Sequence, residues 1–413
     1  MKEKILCIFC LLLACLNGCQ PAPASPPPTP SQAQPAPTQT LPPPTSTQPP
    51  PTPTQPPPTP TQTQAPPTAT APAPLVSPIP TGAAVAPFDD VRFQDVSWLV
   101  PAPDAALIQT LWFNLDTTWP VPSQPVAQSV LEAGKNPGMG IRALHAQGIT
   151  GSGVNVAIID QNLLLDHPEF KGKVVSYFDT GTQQPVDQGS MHAPAVTSLL
   201  VGTTIGTAPG AQVYFAAAPS WTGDAQYYAD ALNWVVDQNQ KLPAAQKIRV
   251  VSVSAAPSGP GTPFTKNNSA WDGAYQRATQ AGILVLDCTQ NHGVTAPCYY
   301  DLAAPDNVAG CTPGFPGVSY QAQKDRLYIP TSRRSTAEEY YQGIFRYQYT
   351  GQGGLSWSVP YLAGVLALGW QLRPDLSGTQ MLDLVFQSAY INSDGLKIIN
   401  PPAFINLVNQ AAK

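Results

Sequence analysis

Val154 to Ile159 reads Val-Asn-Val-Ala-Ile-Ile, an apolar and β-branched run of strand length opened by the turn residues Gly151-Ser152-Gly153. Such a run has no polar face to give to water, so it reads as a parallel strand buried on both sides. Burial on both sides calls for covering layers, which points to an α/β fold with a mostly parallel central sheet flanked by helices. Asp160 closes the run at the strand's carboxyl end. Ile283 to Leu286 repeats the pattern after Gly282, and Asn291 follows in a loop. His192 opens a segment whose Val196, Leu199 and Leu200 fall at helical spacing, with Gly202 as its stop. Gly353-Gly354 precedes Leu355-Ser356, after which Trp357 to Trp370 reads as an almost wholly apolar helix with Pro360 near its first turn.

Open α/β sheets bind ligands in the crevice beyond the carboxyl ends of their strands, so polar residues gathered there are site candidates. Serine is a weak nucleophile until an imidazole takes its proton, and the imidazole needs a carboxylate to fix its tautomer. Ser356, His192 and Asp160 supply these parts, and Asn291 supplies a side-chain amide able to donate to an oxyanion beside the serine backbone N–H. Taken singly, each residue also reads as a cap or loop residue. Their joint order and flanking elements favour catalysis. The chain has 4 histidines. His145 falls in a helical pattern, His167 in a surface turn beside Pro168, and His292 is the rival base. Asp166 is the rival acid.

The order Asp160, His192, Ser356 is that of one of the unrelated triad families. VAIID followed by DHPEF at Asp166 to Phe170, Gly206-Thr207-Ala208-Pro209-Gly210, and Gly354-Leu355-Ser356-Trp357-Ser358-Val359-Pro360 resemble the motifs of the subtilisin-like serine proteases. The chain is identified as a divergent member of that family, over about Gly138 to Lys413. Gln161-Asn162, Ala193-Pro194-Ala195, Leu355 and Trp357 replace the family's usual neighbours while the four actors stay. The resemblance implies the family's three-layer α/β fold, and a strand edge at Ser254, Ala255 and Ala256 that pairs with substrate backbone. It also implies a peptide or protein substrate, a monomer and no cofactor. Structural calcium is common in the family, but no acidic loop marks a site here, and no Cys/His spacing suggests zinc.

The rest of the chain says where this chemistry happens. A short charged start and the 12-residue apolar stretch ILCIFCLLLACL read as a secretory signal over residues 1–18, too short to span a bilayer comfortably. Leu16-Asn17-Gly18-Cys19 resembles a bacterial lipobox, which makes Cys19 the expected site of lipidation and the protein an extracytoplasmic, membrane-anchored lipoprotein. Ordinary cleavage of the signal is the alternative. From Gln20 to Pro87 there is no charged residue, and Pro, Thr, Gln and Ala dominate. Such a stretch cannot bury a core, so residues 19–87 read as anchor and extended, disordered linker. Residues 88–137 carry several tryptophans in an alternating pattern that suggests strands, and read as an extension packed on a catalytic domain spanning 138–413.

Cys288, Cys298 and Cys311 remain after the signal and Cys19 are set aside, and Cys298 with Cys311 is the preferred pair. A net charge of −5 with 11% charged residues gives no basic stripe for nucleic acid. Two other readings stand beside a protease: an inactive, membrane-tethered peptide-binding module of the same fold, and a broader acyl hydrolase using the same triad.

Overall fold

A computed structural model describes residues 76–411. The signal peptide, Cys19 and most of the expected linker lie outside the described residues.

The core is a five-stranded parallel sheet in the order Val174–Asp179, Gln212–Ala217, Asn155–Asp160, Ile248–Val253, Leu284–Leu286. Successive side chains of a strand point to opposite faces. In the central strand Val156 and Ile158 therefore enter one core, with the helices His192–Val201 and Ser358–Leu372. Ala157 and Ile159 enter the other, with the helices Gln226–Lys241 and Asn268–Gln280. Both faces are covered, giving the three-layer α/β architecture of the subtilisin-like fold. All six residues of the central strand are buried, which is why its sequence shows no alternation. The helix Ser358–Leu372 is buried over almost its whole length for the same reason.

Two smaller sheets complete the fold. In one, Thr295–Tyr299 runs parallel to Leu327–Pro330 and pairs with Thr312–Pro313. Here Cys298 and Cys311 form a disulfide with Cα atoms 5.7 Å apart, while Cys288 keeps a free thiol. In the other, Trp112–Asn114 pairs antiparallel with Arg346–Thr350, which pairs in turn with Arg334–Glu338. The N-terminal segment thus adds a strand to a hairpin that leads directly to Ser356.

The amino-terminal part differs from its sequence reading in two ways. Within 88–137 only Trp112–Asn114 is a strand of any length, and Gln124–Gly134 is a helix. Its buried Ala127, Val130, Leu131 and Gly134 fall at helical spacing. The linker also ends earlier than residue 87. Ile79 and Val85 pack on a small core around Val91, Phe113 and Trp119, and Gln94 bonds the backbone of Ile79 and Ser77. Apolar Ile79 and Val85 are the residues that distinguish this end of the proline-rich stretch.

His167 also departs from expectation. It is fully buried rather than in a surface turn, its ring stacked on Phe170 and edged by Phe345 and Tyr347. Burial lowers its pKa, against the backbone carbonyl of Arg346 and nearby carboxylates.

Candidate active site

Asp160 ends the central strand, and its backbone carbonyl accepts from Ala218 beyond the neighbouring strand. Its carboxylate, almost completely buried, accepts from the Gln161 backbone N–H at 2.9 Å. The same carboxylate meets His192 Nδ1 at 2.8 Å through Oδ1 and 3.0 Å through Oδ2. An ionised carboxylate only accepts, so Nδ1 carries the proton and Nε2 keeps its lone pair. His192 begins its helix, and the Ser190 hydroxyl accepts from the next backbone N–H, that of Ala193, at 3.0 Å. Burial opposes the imidazolium, but the charge and hydrogen bond of Asp160 outweigh it and raise the His192 pKa above the ordinary value.

Ser356 sits in a 3-10 turn, Leu355–Trp357, that feeds the buried helix. Gly353 makes that turn possible. Its φ is +69°, and a Cβ there would collide with the backbone of Thr331. Ser356 and His192 line one cleft. The ring of Trp357 stacks on His192 with centroids 5.4 Å apart, and its buried indole N–H has no acceptor among the described residues.

No hydrogen bond joins Ser356 to His192 among the described residues. The Ser356 hydroxyl donates instead to the backbone carbonyl of Ser254 at 3.3 Å, and the Ser254 hydroxyl donates to the Ser356 carbonyl at 2.8 Å. Ser254, the first residue of the expected Ser254–Ala256 edge, is therefore brought directly to the serine. The carbonyls of that edge are already engaged: Ala255 accepts from Cys288 N–H at 2.9 Å and Ala256 from the Thr262 hydroxyl at 2.6 Å.

Asn291 is exposed, and its side-chain amide lies against Gly259 rather than bonding Ser356. The loop that carries it is well tied. Buried Asp287 accepts from both the backbone N–H and the hydroxyl of Thr289, and contacts His292 Nδ1 at 3.4 Å. His292 stacks on Tyr275 with centroids 3.8 Å apart. It belongs to this loop brace, away from the Asp160 pair. Asp166 faces Glu339 instead of His192.

Phe88 and Trp112 also line the cleft of His192 and Ser356. The sequence carried no signal for them, since both lie in a segment outside the motifs. Among the described residues no group of three or more His, Cys, Asp or Glu could hold a metal ion, and no helix is long and apolar enough to cross a membrane.

A doubly covered parallel sheet with a carboxylate, an imidazole and a hydroxyl at its carboxyl edge defines the site of a serine hydrolase. The comparisons narrow the class. Residues 151–318 match the family model described as the Subtilase family. Subtilisin E of Bacillus subtilis is 24% identical over 260 residues, 60% of this chain and 63% of that protein. Subtilisin of Bacillus pumilus is 24% identical over 278 residues, 63% of this chain and 94% of that protein. The subtilisin-like protease PopC of Myxococcus xanthus is 24% identical over 285 residues, covering 60% and 58%. The chain thus spans less than two thirds of the length of subtilisin E. Fervidolysin from Fervidobacterium pennivorans, a keratinolytic enzyme related to subtilisin, shares the fold at TM-score 0.50 and 16% identity, over 67% of this chain and 47% of that one. In sequence and in fold, the chain resembles the subtilisin-like proteases.

Proposed function

We propose that the protein is an extracytoplasmic serine endopeptidase, held at a membrane through lipid on Cys19 and lifted from it by the proline-rich tether. Residues 138–413 form the catalytic domain, with the N-terminal extension packed on it. The observation that carries the reading is the bond from buried Asp160 to His192, which lines one cleft with Ser356.

The chemistry follows from the atoms at hand. Rotation of the Ser356 hydroxyl away from the Ser254 carbonyl turns its proton toward His192 Nε2. Attack on a peptide carbonyl forms the Oγ–C bond while Nε2 takes the proton, and Asp160 stabilises the imidazolium. The π face of Trp357 stabilises the same cation. The Ser356 backbone N–H and the Asn291 amide donate to the oxyanion after the Asn291 side chain leaves Gly259. Collapse breaks the C–N bond as His192 protonates the departing amine; water then attacks the acyl carbon with His192 taking its proton, the C–Oγ bond breaks, and His192 returns the proton to Ser356 as the acid product leaves. The same rotation frees the Ser254 carbonyl to accept a substrate N–H, so occupying the strand edge and arming the serine are one motion.

A fluorophosphonate probe tests this. It should label the protein, and Ser356→Ala should abolish labelling; labelling that survives the substitution sinks the assignment. Peptide binding without acylation or turnover would show the inactive, binding-only alternative instead. Comparing ester with peptide substrates separates the broader acyl hydrolase. For the anchor, Cys19→Ser should release the protein from membranes and remove label from fed fatty acid.

A further inference from the structure

We propose that Phe88 and Trp112 form the leaving-group wall of the substrate cleft and select an apolar residue immediately after the scissile bond. The inference rests on the protease reading above. Its geometry starts from His192, which must hand its proton to the departing amine, so the leaving group passes over the imidazole. The acyl side is the strand edge at Ser254–Ala256, and none of those residues lines the cleft that His192 shares with Met191, Phe88 and Trp112. A peptide crossing Ser356 therefore has one end on the edge and the other in this cleft.

The wall is rigid. The Trp112 indole N–H donates to Gln348 Oε1 at 2.9 Å, and the Arg92 guanidinium stacks 3.6 Å over the ring. Asp90 neutralises that guanidinium at 2.7 Å. Trp112 backbone groups bond Asp89 and Val91, so Phe88 and Trp112 belong to one unit. Phe88 itself is held at φ +73°, a conformation uncommon for any residue with a side chain and rare for a bulky aromatic. Strain of this kind persists only where the surroundings fix it, and it gathers at ligand clamps. Asp89 fixes it here: its carboxylate accepts from Ala86 N–H at 2.7 Å, and its backbone N–H donates to the Ala86 carbonyl at 3.2 Å. The Phe88 ring lies against Gly317, where a Cβ would collide with it.

Size and polarity set the occupant. The cleft has a volume of about 180 Å³, below the roughly 300–1,000 Å³ of a whole small-molecule site, so it suits one side chain. Phe88, Trp112, Met191 and Trp357 give it apolar walls, and no Asp, Glu, Lys or Arg lines it. His192, its titratable lining group, must be neutral before attack, so a charged side chain entering it would lose water and meet no side chain of fixed opposite charge among the described residues.

The test holds the acyl half of a peptide library constant and varies the residue after the scissile bond, scoring kcat/KM by mass spectrometry. Rates are normalised to the fraction of enzyme that the fluorophosphonate labels. The full chain should prefer Leu or Phe over Asp and Lys by at least about tenfold, the scale at which apolar pockets discriminate. Phe88→Ala should cut that preference severalfold, and Trp112→Phe, which keeps a ring against Arg92 but opens the cleft, should shift it toward larger apolar residues. Two labelled variants with the selectivity of the parent overturn the wall. A parent protein that takes no label overturns the protease reading instead.

Discussion

Ser356 and Ser254 are tied twice: the hydroxyl of each donates to the backbone carbonyl of the other, at 3.3 Å and 2.8 Å. The ties join the nucleophile turn to the end of the strand Ile248–Val253, elements 102 residues apart in sequence. Ser254→Ala removes the shorter tie and leaves the Ser356 carbonyl without that donor. A neutral hydrogen bond of this kind is worth about 0.5–1.5 kcal/mol of stability. Its effect on rate should be larger than its effect on stability, because misplacement of a nucleophile by about 1 Å can cost a hundredfold. Urea unfolding and single-turnover acylation read the two separately. A lowered urea midpoint with unchanged acylation would mean that the tie is only structural.

His192 must be neutral to accept the serine proton, and Asp160 holds its pKa above the ordinary 6.5. Activity should therefore rise with pH and level off only above that ordinary value. Asp160→Asn removes the charge that favours the imidazolium, so burial then dominates and the acidic limb should move to lower pH. The amide also frustrates the tautomer, and kcat should fall about ten-thousandfold. The pH profile of kcat/KM for parent and variant decides this, and an acidic limb that stays in place would remove Asp160 from its role.

Asn291 carries its own risk, because its amide rests on Gly259 and not on the serine. If it swings to the oxyanion, Asn291→Ala should lower kcat by roughly a hundred- to a thousandfold with KM little changed. A loss within threefold would remove it from the oxyanion site. His292→Ala should give a smaller loss by loosening the Asp287 brace beneath the loop.

The parts of this molecule legible in the sequence are those where burial is complete. Asn155–Asp160 and Ser358–Leu372 are buried throughout, so their apolar runs declared them. Asp160 and His192 were legible because they follow or open such runs. The amino-terminal segment was not. Its strand is three residues long, too short for a periodic pattern, and takes its pairing from Arg346–Thr350 far along the chain. Phe88 and Trp112 read as ordinary aromatics until that pairing brings them beside His192. His167 was misread because its stacking partners Phe345 and Tyr347 are equally remote.

Glu339 lies against Asp166, and burial with that neighbouring carboxyl raises its pKa to about 8. It therefore carries the proton at neutral pH, with its Oε1 accepting from the Gly343 N–H. Between the ordinary value of 4.5 and about 8 the folded state binds more protons than the unfolded state. Stability should accordingly fall as pH rises through this window. Glu339→Gln keeps a neutral donor and removes the titration, so its thermal midpoint should lose less between pH 5 and pH 9, in round values, than the parent's. Parallel slopes for the two proteins would place the proton elsewhere.

Arg92 joins the amino-terminal segment to the hairpin through charge. It binds Asp90, the Tyr340 hydroxyl and Gln348, and stands 3.7 Å from the buried Glu338 carboxylate, whose other oxygen accepts from Asn114 at 2.8 Å. Burial raises the Glu338 pKa to about 7 even with Arg92 and Asn114 opposing it. Arg92→Met removes the opposing charge, so Glu338 should take up a proton more readily still. Below neutral pH the variant should lose the packing on Trp112 and the bonds to Asp90, Tyr340 and Gln348 but nothing from the Glu338 charge, because a neutral carboxyl needs no counter-charge. Above it, an ionised Glu338 would stand buried without its cation, and breaking a buried pair costs about 3–5 kcal/mol. The destabilisation should thus grow as pH rises, and Arg92→Met/Glu338→Gln should restore much of the loss at high pH. Urea midpoints for the parent, single and double variants across pH measure this. A pH-independent loss would show that Arg92 holds the segment by stacking and by its other hydrogen bonds, with the Glu338 charge playing no part.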